Sequence, residues 1–239
     1  MIKIRFAVLA GCVLMALLWG CSEGIENQTR QPARQDLPAG AEQLDPAASA
    51  PLVVYLGDSL AAGLGLAEEE AFPALVEGML RQEGVVIRTV NAGVSGDTSA
   101  GGLSRLDWLL GQSPGVVVVE LGVNDGLRGL KPEMTENNLR QIVQQSRAAG
   151  ARVLLVGMKV PPNYGGEYAG RFEEVYPRLA SELGVALMPF LLADVAGDPT
   201  LNLGDGIHPN AAGQQRIAAN IVPYLREILI RLEEDVDVD

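Results

Sequence analysis

Apolar residues along this chain gather in five short runs. They are Leu52–Leu56, Val85–Val90, Val116–Val119, Val153–Val156 and Val185–Met188. Glycine punctuates them: Gly57 stops the first, and Gly84, Gly150 and Gly184 precede the second, fourth and fifth. Runs of this length with little polar alternation predict strands covered on both faces, as in a parallel sheet. Helical spacing fills the gaps. Phe72–Arg81 carries Leu75, Val76, Met79 and Leu80, and Leu103–Leu110 carries Leu103, Leu106, Leu109 and Leu110. Thr135–Ala149 puts Leu139, Ile142 and Val143 on one face, and Phe172–Leu183 does so with Phe172, Val175, Tyr176 and Leu179. A final helix shows the stripe Ile217, Ile221, Leu225, Ile228 and Leu232, with Pro223 expected to kink or split it.

Strands alternating with helices imply right-handed crossovers and a three-layer α/β/α domain with a five-stranded parallel sheet. In such sheets ligands bind beyond the carboxyl ends of the strands, so the segments after each strand are where chemistry is sought. The domain is expected over residues 51–232, followed by an acidic tail, 233–239, read as a solvated, frayed end.

The N-terminus has a different pattern. Lys3 and Arg5 precede an apolar run, Phe6 to Gly20, shorter than the roughly 20 apolar residues of a spanning helix. This is the layout of an export signal over residues 1–20. Its end, Leu18-Trp19-Gly20-Cys21, resembles the lipobox of bacterial lipoproteins. A second match ending at Cys12 leaves too short an apolar region before it. By this resemblance Cys21 is lipidated and anchors the chain to a membrane. Ser22 in place of Asp then favours the outer membrane, facing the periplasm. An ordinary cleaved signal and an uncleaved anchor are the other readings. Residues 21–50, rich in Gln, Pro, Ala, Asp and Glu, read as a flexible tether spanning about 30 Å.

Composition removes several functions. A formal net charge of −12 argues against a nucleic-acid partner. Both cysteines, Cys12 and Cys21, lie in the first segment, so the body has neither a disulfide framework nor the ligands for a Cys/His zinc site. No calcium-loop spacing occurs, and no metal or other cofactor is implied. Nothing in the pattern sets an oligomeric state.

The chain has a single histidine, His208, in the run Asp205-Gly206-Ile207-His208-Pro209-Asn210. Imidazole is the side chain best suited to move protons near neutral pH, and a carboxylate three residues away is placed to orient it. Ser59, in Gly57-Asp58-Ser59-Leu60, directly follows the first strand and is a candidate nucleophile. Gly96, in the polar stretch after the second strand, offers an unobstructed backbone N–H, and Asn124, after the third, offers a side-chain amide. Taken singly these are turn and cap residues. Together they comprise a nucleophile, a base, an orienting acid and oxyanion donors, the set acyl transfer requires. Asp58 and Asp97 are read as structural, capping turns and helices.

Ser59, Gly96, Asn124 and His208, with Asp205 in an Asp-x-x-His arrangement, resemble the four blocks of the GDSL or SGNH hydrolase family, in order and over the whole body. Val94–Ser99, Glu120–Leu130 and Asp205–Asn210 look closest to its bacterial branch of acyl-CoA thioesterases, lysophospholipases and arylesterases. The resemblance implies a flavodoxin-like fold and an acyl-enzyme formed on Ser59. It implies a triad of Ser59, His208 and Asp205, and an oxyanion site made by the N–H groups of Ser59 and Gly96 with the Asn124 amide. The substrate implied is an acyl ester, with Leu64, Leu66, Leu127, Leu130, Pro161, Pro162 and Tyr164 as candidates for lining an acyl groove. A carbohydrate O-acetyl esterase of the same fold and a non-catalytic lipid- or glycan-binding lipoprotein stay open.

Overall fold

A computed structural model describes residues 49–236 of the chain. The export signal, Cys21, nearly all of the tether and residues 237–239 lie outside the described residues. Five parallel strands form one sheet in the order β2-β1-β3-β4-β5. They are β1 (Leu52–Gly57), β2 (Arg88–Gly93), β3 (Val116–Glu120), β4 (Arg152–Val156) and β5 (Ala186–Met188). The helices are α1 (Ser59–Ala62), α2 (Phe72–Gln82), α3 (Ser99–Ser104), α4 (Leu106–Leu110), α5 (Val123–Leu127), α6 (Pro132–Ala148), α7 (Gly166–Glu173), α8 (Val175–Leu183) and α9 (Ala211–Val236). The sheet is the middle of three layers. Helices α2 and α9 pack together on one side, and α3, α6 and α8 on the other. Every residue of β1 and β3 is buried, which explains their unbroken apolar runs.

The differences from the pattern reading have local causes. The second strand runs over 88–93 rather than 85–90. Gly84, at φ 84°, ends the preceding helix, and the Val85 N–H returns to the Leu80 carbonyl at 2.9 Å. The apolar Val85 therefore seals a helix end, while β2, an edge strand, tolerates Thr89 and Asn91. The helical pattern of 103–110 divides at Arg105, and a helix ends and another begins around Glu174 inside 172–183. The third helix starts at Pro132 rather than Thr135, proline being well suited to a first helical turn. Pro223 does not split α9, which runs unbroken to Val236, four residues into the predicted acidic tail. Pro223 and Ala219 are both exposed, so the carbonyl that loses its donor can turn to water.

The register sets the site. Gly57 of β1 pairs with Gly93 of β2 and with Glu120 of β3, so three adjacent strands end on one level line. The chain reverses direction across the sheet between β1 and β3, the switch point at which such sheets bind ligands.

Candidate active site

Each strand of that line delivers one predicted residue. Ser59 lies two residues beyond Gly57 and opens α1. The Asp58 side chain caps that helix, its Oδ1 accepting the Leu60 N–H at 3.0 Å. Gly96 lies three residues beyond Gly93 at φ 80°, a conformation costly for a residue with a Cβ. Asn124 lies four residues beyond Glu120, in the first turn of α5. The polar stretch read as following the second strand in fact begins inside it, since Asn91–Gly93 belong to β2.

His208 arrives from the loop before α9. Its Nε2 is 2.9 Å from Ser59 Oγ and its Nδ1 is 2.7 Å from Asp205 Oδ2. With the proton on Nδ1, the ring donates to Asp205 and accepts from the serine hydroxyl, the arrangement of a general base. Asp205 is itself fixed, because its Oδ1 accepts the N–H groups of Ile207 and His208, both at 3.0 Å. The Ile207 N–H, the His208 ring and the His208 N–H hold its carboxyl down at about 2, so it remains ionised beside the imidazole. The loop is braced from below. The Leu203 N–H reaches the His208 carbonyl at 2.7 Å, and the Asn210 side chain donates to the Thr200 carbonyl at 2.9 Å.

The Asn124 amide is oriented by a residue that sequence reasoning had treated as a cap alone. Asn124 Nδ2 donates one hydrogen to Asp58 Oδ2 at 2.9 Å, which leaves its second hydrogen for another acceptor. Asp58 is fully buried, and burial pushes its carboxyl up to about 6 against the pull of the Leu60 N–H, the Asn124 amide and His208. Asp97 also proves structural. It caps Thr98 and pairs with Arg105 Nε at 2.8 Å. Arg105, which nothing in the sequence marked, donates to the carbonyls of Ala92 at 2.7 Å and Gly57 at 3.0 Å. It thereby ties off the ends of β1 and β2. Buried Asp125 accepts the Ser99 N–H at 2.8 Å and the Ser99 hydroxyl, joining α5 to α3. Arg128 Nη2 donates to the Gly96 carbonyl at 2.7 Å and tethers that loop. Among the described residues no Asp, Glu, His and Cys group could hold a metal ion.

Of the candidate groove residues, Leu64 and Tyr164 are exposed, while Leu66, Leu127 and Leu130 are half-buried. The Tyr164 hydroxyl donates to the Leu127 carbonyl at 3.0 Å, and Tyr168 donates to that of Leu130 at 2.7 Å, so the 127–130 turn is pinned to the 164–168 segment. Two apolar residues not among the groove candidates, Val94 and Ile207, are also exposed. They sit on the segments carrying Gly96 and His208. A cavity of about 500 Å³, lined by Arg147, Arg152, Tyr224 and Arg231, opens at the amino ends of β4 and β5. That is the end of the sheet away from Ser59.

Loss of the Asn124 amide tests the oxyanion arrangement. Asn124→Ala is expected to lower kcat by roughly 100–1,000-fold, the usual effect of removing one oxyanion donor. The folded signature in circular dichroism should persist, because Asn124 is only half-buried. A variant that keeps wild-type kcat with intact folding would remove Asn124 from the reaction.

Residues 55–216 match the model of the GDSL-like Lipase/Acylhydrolase family. The chain is 46% identical over 226 residues to "Esterase TesA" of Pseudomonas aeruginosa, covering 94% of this chain and all of that one. It is 47% identical over 184 residues to "Thioesterase 1/protease 1/lysophospholipase L1" of Escherichia coli, covering 77% and 87%. A crystal structure of TesA superposes with a TM-score of 0.72 at 46% identity, covering 74% of this chain and 99% of that one.

Proposed function

The chain belongs to the GDSL-like lipase/acylhydrolase family and is an ester hydrolase of that family, and we propose that it works through an acyl-enzyme on Ser59. The observation that carries this reading is the chain of contacts from Ser59 Oγ through His208 to Asp205, at 2.9 and 2.7 Å. Ser59 Oγ attacks the ester carbonyl as His208 Nε2 takes its proton. The carbonyl oxygen, now negative, is received by the N–H groups of Ser59 and Gly96 and by the free hydrogen of the Asn124 amide. The imidazolium, stabilised by ionised Asp205, gives its proton to the departing alkoxide or thiolate. Water, deprotonated by the same imidazole, then releases the acyl group as a carboxylic acid and restores Ser59.

Fatty-acyl and aryl esters are the proposed substrates, with acyl thioesters and lysophospholipids as further ones. Support comes from the exposed Leu64, Val94 and Ile207, on the three segments that carry Ser59, Gly96 and His208. Apolar side chains exposed around polar chemistry suit an acyl chain better than a sugar. The similarity to a thioesterase and lysophospholipase points the same way. A panel of p-nitrophenyl esters from acetyl to long acyl tests the choice. Rising kcat/KM with chain length is expected, whereas cleavage of the acetyl ester alone would favour a carbohydrate O-acetyl esterase.

The proposal extends to location: a lipoprotein held by Cys21 in the outer membrane, with its body in the periplasm. The sequence of residues 1–22 supports it. No helix among the described residues is long and apolar enough to cross a membrane. Wild type is expected in the detergent phase on partitioning and Cys21→Ala in the aqueous phase. Aqueous partitioning of both would rule the anchor out.

A further inference from the structure

Glu120 closes β3 with no exposed surface. Four consecutive valines precede it, so the chain drives this carboxyl into the sheet interior at the level where the site begins. Space for it exists because its neighbour in the register is a glycine. A Cβ on Gly57 would come within 2.5 Å of Glu120 Oε2. That oxygen accepts the backbone N–H of Asp58 at 3.1 Å, and the other, Oε1, is buried with no hydrogen-bond partner. The result is two fully buried carboxyl groups in series. Glu120 touches the Asp58 backbone, and the Asp58 side chain holds Asn124.

Two negative charges this close, both out of water, are strongly disfavoured, so the pair retains a proton. Hydrogen bonds decide where it rests. Each Asp58 side-chain oxygen accepts an N–H, from Leu60 and from Asn124, and both bonds favour its carboxylate. Glu120 Oε2 accepts the Asp58 N–H, and the Ala61 N–H also favours its charge, yet Oε1 has no partner and is a cheaper place for a neutral O–H than for a charge. Burial first and the Asp58 charge second push the Glu120 carboxyl well above the usual range, against the pull of the Asp58 and Ala61 N–H groups. The other charged or titratable groups facing the pair are Asp97 and its partner Arg105, Tyr176 and His208. Arg105 meets the Gly57 carbonyl rather than either carboxyl, so it leaves the pair's proton in place.

We propose that Glu120 is a positioning residue that stays protonated throughout turnover and thereby keeps Asp58 ionised and the Asn124 amide turned N–H outward. In this arrangement one charge, not two, lies beneath the oxyanion site. It is spent on a hydrogen bond that fixes which end of the Asn124 amide faces the substrate. An Asn124 inverted by loss of that bond would offer its oxygen to an oxyanion. The inference rests on the acyl-enzyme reading for its role in catalysis, but the proton itself can be observed without turnover.

Infrared spectroscopy at about pH 8, where ordinary carboxyl groups are ionised, provides the first test. Wild type should show the carbonyl band of one protonated carboxylic acid, and Glu120→Gln should lack it. Ser59→Ala, which removes the nucleophile and leaves the pair untouched, should keep it, so failure of the acyl-enzyme reading and failure of this inference are separable. In Asp58→Asn the band should titrate at lower pH than in wild type, because the like charge is gone. Absence of the band in wild type, or its persistence in Glu120→Gln, overturns the proposal. Kinetics supply the second test. Glu120→Ala should lose up to about 100-fold in kcat, the scale of an ångström-sized misplacement, with KM little changed. Glu120→Gln, neutral and nearly isosteric, should recover most of that loss. A folded Glu120→Gln as slow as Glu120→Ala would mean that the ionised form is the working one, and the assignment would fall.

Discussion

Replacing His208 by Ala is expected to lower ester turnover by roughly four to six orders of magnitude, with little change in thermal unfolding. The size follows from His208 being the sole histidine, so no second imidazole can stand in. Its ring is the one base in contact with Ser59 Oγ, and without it the hydroxyl attacks as a weak nucleophile. The small effect on stability follows from where the side chain sits. The loop is held by backbone bonds, including that of the Leu203 N–H to the His208 carbonyl, and Asp205 keeps its two backbone N–H donors. None of these involves the imidazole. Initial rates on a p-nitrophenyl ester, with melting followed by circular dichroism, measure both. A loss below about tenfold would mean that the proton of Ser59 leaves by another route.

The largest effect on stability is expected at Phe172. Its ring is fully buried, 6.4 Å from that of Tyr168 and 5.9 Å from that of Tyr176, and it forms one wall against Gly126 of α5. Phe172→Ala removes a whole aromatic side chain from between elements that hydrogen bonds hold in place, so the gap closes poorly. The cost should be about 3–5 kcal/mol. For a domain of this size that lowers Tm by about 10 °C. The lost ring also backs the short helix carrying Asn124, so kcat should fall as well, though by far less than in His208→Ala. Thermal and urea unfolding check the figure. A change under about 1 kcal/mol would show that α7 is not part of the cooperative core.

Much of the fold was legible because its strands are central. β1, β3 and β4 are buried on both faces, and burial on both faces writes an unmistakable apolar run. The edge strand β2 is under no such demand, and the apolar residues just before it serve a helix end, so its position was misread by three residues. The helix break at Arg105 has no proline beside it and was silent, whereas the one at Glu174 is marked by Pro177, which has no N–H to offer the Glu173 carbonyl. At the site, the types and order of Ser59, Gly96, Asn124, Asp205 and His208 could be read, but their distances could not. The supporting groups were harder still. Asp58 resembled an ordinary cap, which it is, while its second oxygen reaches a residue 66 positions away. Glu120 did leave a trace: a carboxylate ending a run of valines is either a strand terminus in water or a buried acid with a purpose. Only the register with Gly57 distinguishes the two.

The contact between Ser59 and His208 joins residues 149 positions apart. A ribosome therefore completes the segments bearing Ser59, Gly96 and Asn124 long before it makes the loop bearing the base. A chain that stops between residues 124 and 208 carries Ser59, Gly96 and Asn124 but no imidazole to take the proton of the hydroxyl. Hydrolytic activity is thus acquired late in synthesis, once the loop before α9 closes onto the carboxyl end of β1.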